Sequence, residues 1–109
     1  MMELTSKQRK MLEKAAHTLE PVVIVGQNGV TPSLEVKVAE SLKAHELIKV
    51  RFNEFKEEKR ELAEEIAQKT DATLVRIIGN VAILYKESED SEKRRKFFLS
   101  RFKTKNRTA

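Results

Sequence analysis

Two glycines set three residues apart, in Gly26-Gln27-Asn28-Gly29, are the residues of this 109-residue chain best spaced to do chemistry. A glycine can take positive φ or admit a ligand against the backbone, because no Cβ stands in the way. Ahead of the pair runs the β-favouring stretch Val22–Val25; behind it, Thr31 has the character of a helix N-cap and Pro32 of a first helical residue. Strand, GxxG and helix N-terminus in that order can aim free N–H groups at an anion. Two readings stay open on these residues alone. One is an ordinary strand-to-helix turn, since Asn-Gly is a common turn pair. The other is a backbone clamp on single-stranded nucleic acid, as KH domains make with a GxxG loop. A nucleotide-hydrolysing P-loop is disfavoured, because the Gly-Lys-Ser/Thr ending is missing.

Cations come next. In Leu47-Ile48-Lys49-Val50-Arg51-Phe52, strand alternation turns Ile48, Val50 and Phe52 to the core and leaves Lys49 and Arg51 together on the other face. Leu47 shares that face, and Arg76 and Lys86 can join it if the register allows. Lys7, Arg9 and Lys10 form a second cluster near the N-terminus. Both groups also read as solvated faces, and strand lysines discourage edge pairing. His17 and His45 fall at helix C-termini, where partial positive charge is favourable. Without cysteine, and without His, Asp or Glu at ligand spacing, no metal site is expected. No nucleophile, base and orienter can be nominated together, so neither catalysis, cofactor nor small-molecule substrate is expected. Glu57, Glu58, Glu61, Glu64 and Glu65 read as a wet helix face.

The formal net charge is +5, but it is unevenly placed. Residues 93–109 hold eight basic residues and no acidic one, while residues 1–92 hold 14 basic residues against all 17 acidic ones. The body is mildly acidic, so binding a polyanion there needs local clusters, with Arg94, Arg95, Lys96 and Arg101 of the tail as diffuse anchors. Phe97, Phe98, Leu99 and Phe102 lie among those cations. They open an alternative, a protein-interaction adaptor that docks through its tail. No apolar run approaches the roughly 20 residues of a membrane span, and no signal-peptide pattern is present. The expectation is a soluble, cytoplasmic monomer.

The elements that must position these residues are well marked. Thr5-Ser6-Lys7-Gln8 has capping-box spacing, and Leu12, Ala15, Ala16 and Leu19 then follow one helical stripe. A second helix is predicted from Pro32 to about His45, burying Leu34, Val38 and Leu42. A third covers roughly 57–70, burying Leu62, Ile66 and Ala67. Residues 73–78 and 81–86 read as strands joined by a Gly79-Asn80 hairpin turn. The order α-β-α-β-α-β-β implies a two-layer α/β fold with a mixed four-stranded sheet. Residues 1–88 form its single domain, and 89–109 are expected to be a basic, flexible tail.

Leu4-Thr5-Ser6-Lys7-Gln8-Arg9, Pro21-Val22-Val23, Val25-Gly26-Gln27-Asn28-Gly29-Val30-Thr31 and Ala44-His45-Glu46-Leu47-Ile48-Lys49-Val50-Arg51 together resemble the CRM domain, named for chloroplast RNA splicing and ribosome maturation, in its stand-alone bacterial YhbY-like form. The likeness runs from about Leu4 to Lys86. It implies a fold similar to the C-terminal domain of translation initiation factor 3, RNA binding, association with precursors of the large ribosomal subunit and no enzymatic activity. On this resemblance the site comprises Gly26, Gln27, Asn28, Gly29 and Thr31, flanked by Lys7, Arg9, Lys49 and Arg51. The tail lies outside the resemblance.

Overall fold

In the computed structural model, which describes residues 3–88, the chain forms α1 (Ser6–Ala16), β1 (Val23–Val25), α2 (Pro32–His45), β2 (Leu47–Phe52), α3 (Lys59–Lys69), β3 (Thr73–Ile78) and β4 (Val81–Tyr85). Local chemistry sets the helix starts. Thr5 Oγ1 accepts from the Gln8 N–H at 3.1 Å while Gln8 Oε1 accepts from the Thr5 N–H at 2.9 Å, a reciprocal capping box. Thr31 Oγ1 accepts from the Leu34 N–H at 3.1 Å, with Pro32 in the first helical position. Between β3 and β4, Gly79 takes φ +60° at the first of two turn positions, which suits a hairpin.

The sheet order is β1-β2-β4-β3. β1 runs parallel to β2, and β4 lies antiparallel between β2 and β3. Helices α2 and α3 cover one face: Val38, Leu42, Ala63, Ile66 and Ala67 pack on Val23, Val25, Ile48, Val50, Phe52, Ala82 and Leu84. These two helices and the sheet are the expected two-layer sandwich. To it α1 adds a partial layer on the other face, where Leu12 and Ala16 pack on Leu47, Val75, Ile83 and Tyr85.

Element ends differ from the sequence pattern in three places. Leu19 continues the α1 stripe by spacing, yet it lies beyond the helix and is 37% exposed. The ladder cannot run on past Glu20, because Pro21 has no N–H for the His17 carbonyl; the Lys49 ammonium donates instead to the carbonyls of His17 and Leu19, at 3.4 and 3.0 Å. Helix α3 begins at Lys59 rather than near 57, after a segment in which Phe55 takes φ +57°. Lys86 follows β4 and turns to the α3 side, where its ammonium donates to the Thr70 carbonyl at 3.1 Å. It does not join the face that holds Lys49.

Because α1 reaches only from Leu74 and Val75 to Lys49, it leaves one end of its sheet face open. There Ile24, Arg51, Val81 and Ile78 are neighbours across all four strands. Ile24 and Ile78 are about half exposed, at 51% and 53%.

Candidate nucleic-acid interface

Parallel pairing places the end of β1 beside Phe52, so three connections meet at one pole of the sheet: residues 26–31, residues 53–58 and the Gly79-Asn80 hairpin. The N–H groups of Asn53 and Glu54 both donate to the Val25 carbonyl, at 3.0 and 3.3 Å. The Phe52 N–H donates to the Asn80 carbonyl at 2.7 Å, and Lys59 reaches the Asn80 side-chain oxygen at 3.2 Å.

Gly26-Gln27-Asn28-Gly29 is a hydrogen-bonded turn, closed by the Gly29 N–H on the Gly26 carbonyl at 3.0 Å. Its two central residues are exposed, and their N–H groups have no acceptor among the described residues. The two glycines have different reasons to be there. Gly29 sits at φ +69°, and a Cβ on it would come within 3.4 Å of the Phe55 ring. The positive φ and the nearby ring both favour glycine at that position. Gly26 has no positive φ, and a Cβ there would meet nothing within 4 Å. Nothing in the fold requires Gly26, and the space above it is open to a ligand.

The helix behind the turn contributes fewer donors than its position suggests. Pro32 has no N–H, the Leu34 N–H goes to Thr31 Oγ1, and the Glu35 N–H goes to the Thr31 carbonyl at 3.0 Å. In the first turn this leaves the Ser33 N–H without an acceptor among the described residues. The Thr31 hydroxyl is engaged as the cap. Glu35 also sits in this first turn, where its carboxylate pairs with Lys69 at 3.3 Å.

The nominated cations separate into two groups. Arg51 pairs in register with Ile24, two residues before Gly26; it is exposed and makes no side-chain hydrogen bond or ion pair among the described residues. Lys49 lies farther down the strand, holding the His17 and Leu19 carbonyls. Arg9 is half-buried at the opposite edge of the sheet, its guanidinium donating to the carbonyls of Leu74 and Val75 at the bulge in β3. Lys7 is exposed in the first turn of the same helix. Arg76 shares the Lys49 face as the register condition required, in an ion pair with Glu13 at 2.8 Å. Arg9, Arg60 and Arg76 also line a groove of about 610 Å³ along β3. Arg94, Arg95, Lys96 and Arg101 lie outside the described residues.

Sequence reasoning overlooked Phe55. It belongs to an irregular, highly charged segment with no periodicity to mark it, and only a lone aromatic among Asn, Glu and Lys could have drawn notice. Its ring lies against Gly29 and remains 41% exposed.

An α-β-α-β-α-β-β chain folded on a mixed sheet, with a GxxG turn between its first strand and second helix, defines a particular class of small α/β domain. The family model described as the CRS1 / YhbY (CRM) domain matches residues 4–86, and the chain belongs to that family. Its relatives include a Bacillus subtilis protein named probable RNA-binding protein YqeI, 40% identical over 90 residues, covering 82% of this chain and 94% of the relative. A Haemophilus influenzae protein named RNA-binding protein is 37% identical over 93 residues, covering 84% of this chain and 94% of its own length. The solution structure of a hypothetical protein from Staphylococcus aureus superposes with a TM-score of 0.69 at 34% identity, over 81% of this chain and 93% of that one. Among the described residues, no helix is long and apolar enough to cross a membrane.

Proposed function

We propose that this chain is a non-catalytic RNA-binding protein that holds the RNA backbone at the Gly26–Gly29 turn. The observation that carries this reading is the turn itself. It presents the N–H groups of Gln27 and Asn28 to solvent beside a glycine that the fold does not need. Backbone N–H groups are suitable phosphate donors, and they position a chain without reading its sequence. The names of the relatives, as RNA-binding proteins, support the same reading.

Arg51 pairs in register with Ile24, two residues before the turn, and supplies a charge-assisted phosphate contact. Lys7 extends the basic surface along α1, while Arg9 and Lys49 act mainly by fixing that helix to the sheet. The basic residues after position 92 add salt-sensitive, sequence-independent attraction. The body needs such placed contacts, since residues 3–88 carry 14 basic and 14 acidic side chains.

The family resemblance extends the proposal to a setting: precursors of the large ribosomal subunit, in the cytoplasm. Ultraviolet crosslinking of the protein to purified large-subunit precursors tests this. Crosslinks from the 26–29 turn to ribosomal RNA are expected. Crosslinks to ribosomal protein alone would replace RNA binding with an adaptor role.

A further inference from the structure

The segment that closes over the end of β1 forms a second binding feature next to the turn. Gln27, Asn53, Glu54, Phe55, Lys56, Glu57 and Glu58 line a shallow depression that is open to solvent. Phe55 contributes the only aromatic surface in it. Three atoms along one side of the ring, Cδ2, Cε2 and Cζ, face Gly29, and the residue stays 41% exposed. Its φ of +57° is uncommon for a bulky side chain and costs on the order of 1 kcal/mol or more. A solvent-facing phenyl ring kept in this backbone state has no core-packing reason to be there.

The lining also selects the kind of ligand. Three of its lining residues are glutamates against one lysine, so a phosphate is disfavoured there. A neutral group that donates hydrogen bonds is accepted. An unpaired nucleobase has a π face for the ring, and its exocyclic amine can donate to a carboxylate, as cytosine N4 does to Glu or Asp. With the phosphate on the turn, the attached base has the adjoining depression within reach, since the Phe55 ring lies beside Gly29 and Gln27 lines the same depression.

We propose that Phe55 is a stacking platform for one unpaired, amine-bearing RNA base, held beside the backbone turn and favoured over uracil by Glu54, Glu57 and Glu58. This rests on the RNA-binding reading and adds base readout to it.

The chain contains no tryptophan, so Phe55→Trp introduces a single indole reporter. The full-length variant is titrated with a short single-stranded cytidine oligonucleotide, with the uridine oligonucleotide and with an abasic ribose-phosphate chain of equal length. Indole emission should be quenched by the cytidine chain and unaffected by the abasic one. In the wild-type protein, the cytidine chain should bind on the order of tenfold more tightly than the abasic chain, within the range that one base–aromatic stack contributes. Phe55→Leu, which keeps an apolar contact on Gly29 but removes the π face, should abolish that difference and leave abasic binding unchanged. Equal wild-type affinity for the cytidine and abasic chains would overturn the stacking site while leaving the backbone turn intact. Equal affinity for cytidine and uridine chains would overturn the proposed amine preference. If none of the three binds the wild-type protein, the RNA reading itself fails and the base site with it.

Discussion

On the α1 flank of the sheet, Arg9 donates to the Leu74 and Val75 carbonyls and Lys49 to those of His17 and Leu19. Arg76, between them, is paired with Glu13. At the turn pole, Arg51 has no such partner among the described residues, and the N–H groups of exposed Gln27 and Asn28 have no acceptor among them. Both regions carry cations on the same sheet face. They differ in which polar groups the fold already satisfies. A cation held by main-chain carbonyls organises the protein, whereas an unengaged cation beside unengaged N–H groups can act on a ligand.

Substitutions on the flank should therefore change stability, and those at the pole should change binding. Leu12→Ala, which empties the contact of α1 with Leu47 and Ile83, should have the largest effect: about 2–5 kcal/mol lost in urea unfolding. A loss below about 1 kcal/mol would show that α1 is not packed on the sheet. Arg9→Met removes charge-assisted bonds to two carbonyls at the β3 bulge and should cost about 1.5–3 kcal/mol by thermal or urea unfolding. RNA affinity of the folded protein should be essentially retained. A marked affinity loss at unchanged stability would move Arg9 from the structural group to the binding group. Lys49→Met should follow at about 1 kcal/mol, because its contacts are more exposed. Arg51→Gln should alter stability least, within about 0.5 kcal/mol. Its signature belongs in binding instead, where the slope of log affinity against log salt should fall by about 0.7, one phosphate contact on a single strand. An unchanged slope would detach Arg51 from the RNA.

The same contrast explains what could be read from the residues. Helix α2 spans Pro32–His45 as the spacing predicts, because Thr31 and Pro32 mark its start and Leu34, Val38 and Leu42 its inner face. Strand β2 and the Gly79 turn were equally legible, since alternation and turn chemistry are local signals. The apolar stripe misleads at the end of α1: Leu19 fits it, but Pro21 stops the ladder, and Lys49, 30 residues away, takes the Leu19 carbonyl. The turn could be located by its glycines. Which glycine the fold favours could not be, since that depends on Phe55 packing from a different connection. Lys7, Arg9, Lys49 and Arg51 looked equivalent because charge is visible in sequence and hydrogen-bond partners are not.

In the proposed binding mode, Gly26 serves the RNA and not the fold. Gly26→Asp adds a side chain where a Cβ meets nothing within 4 Å, and places a negative charge where RNA phosphate would sit. Unfolding and RNA affinity should be measured on the same preparation, using a single-stranded RNA oligonucleotide. The expected result is an unfolding midpoint close to wild type together with an affinity loss of at least about tenfold, equal to about 1.4 kcal/mol. A folded Gly26→Asp protein that binds this RNA as tightly as wild type would contradict the account.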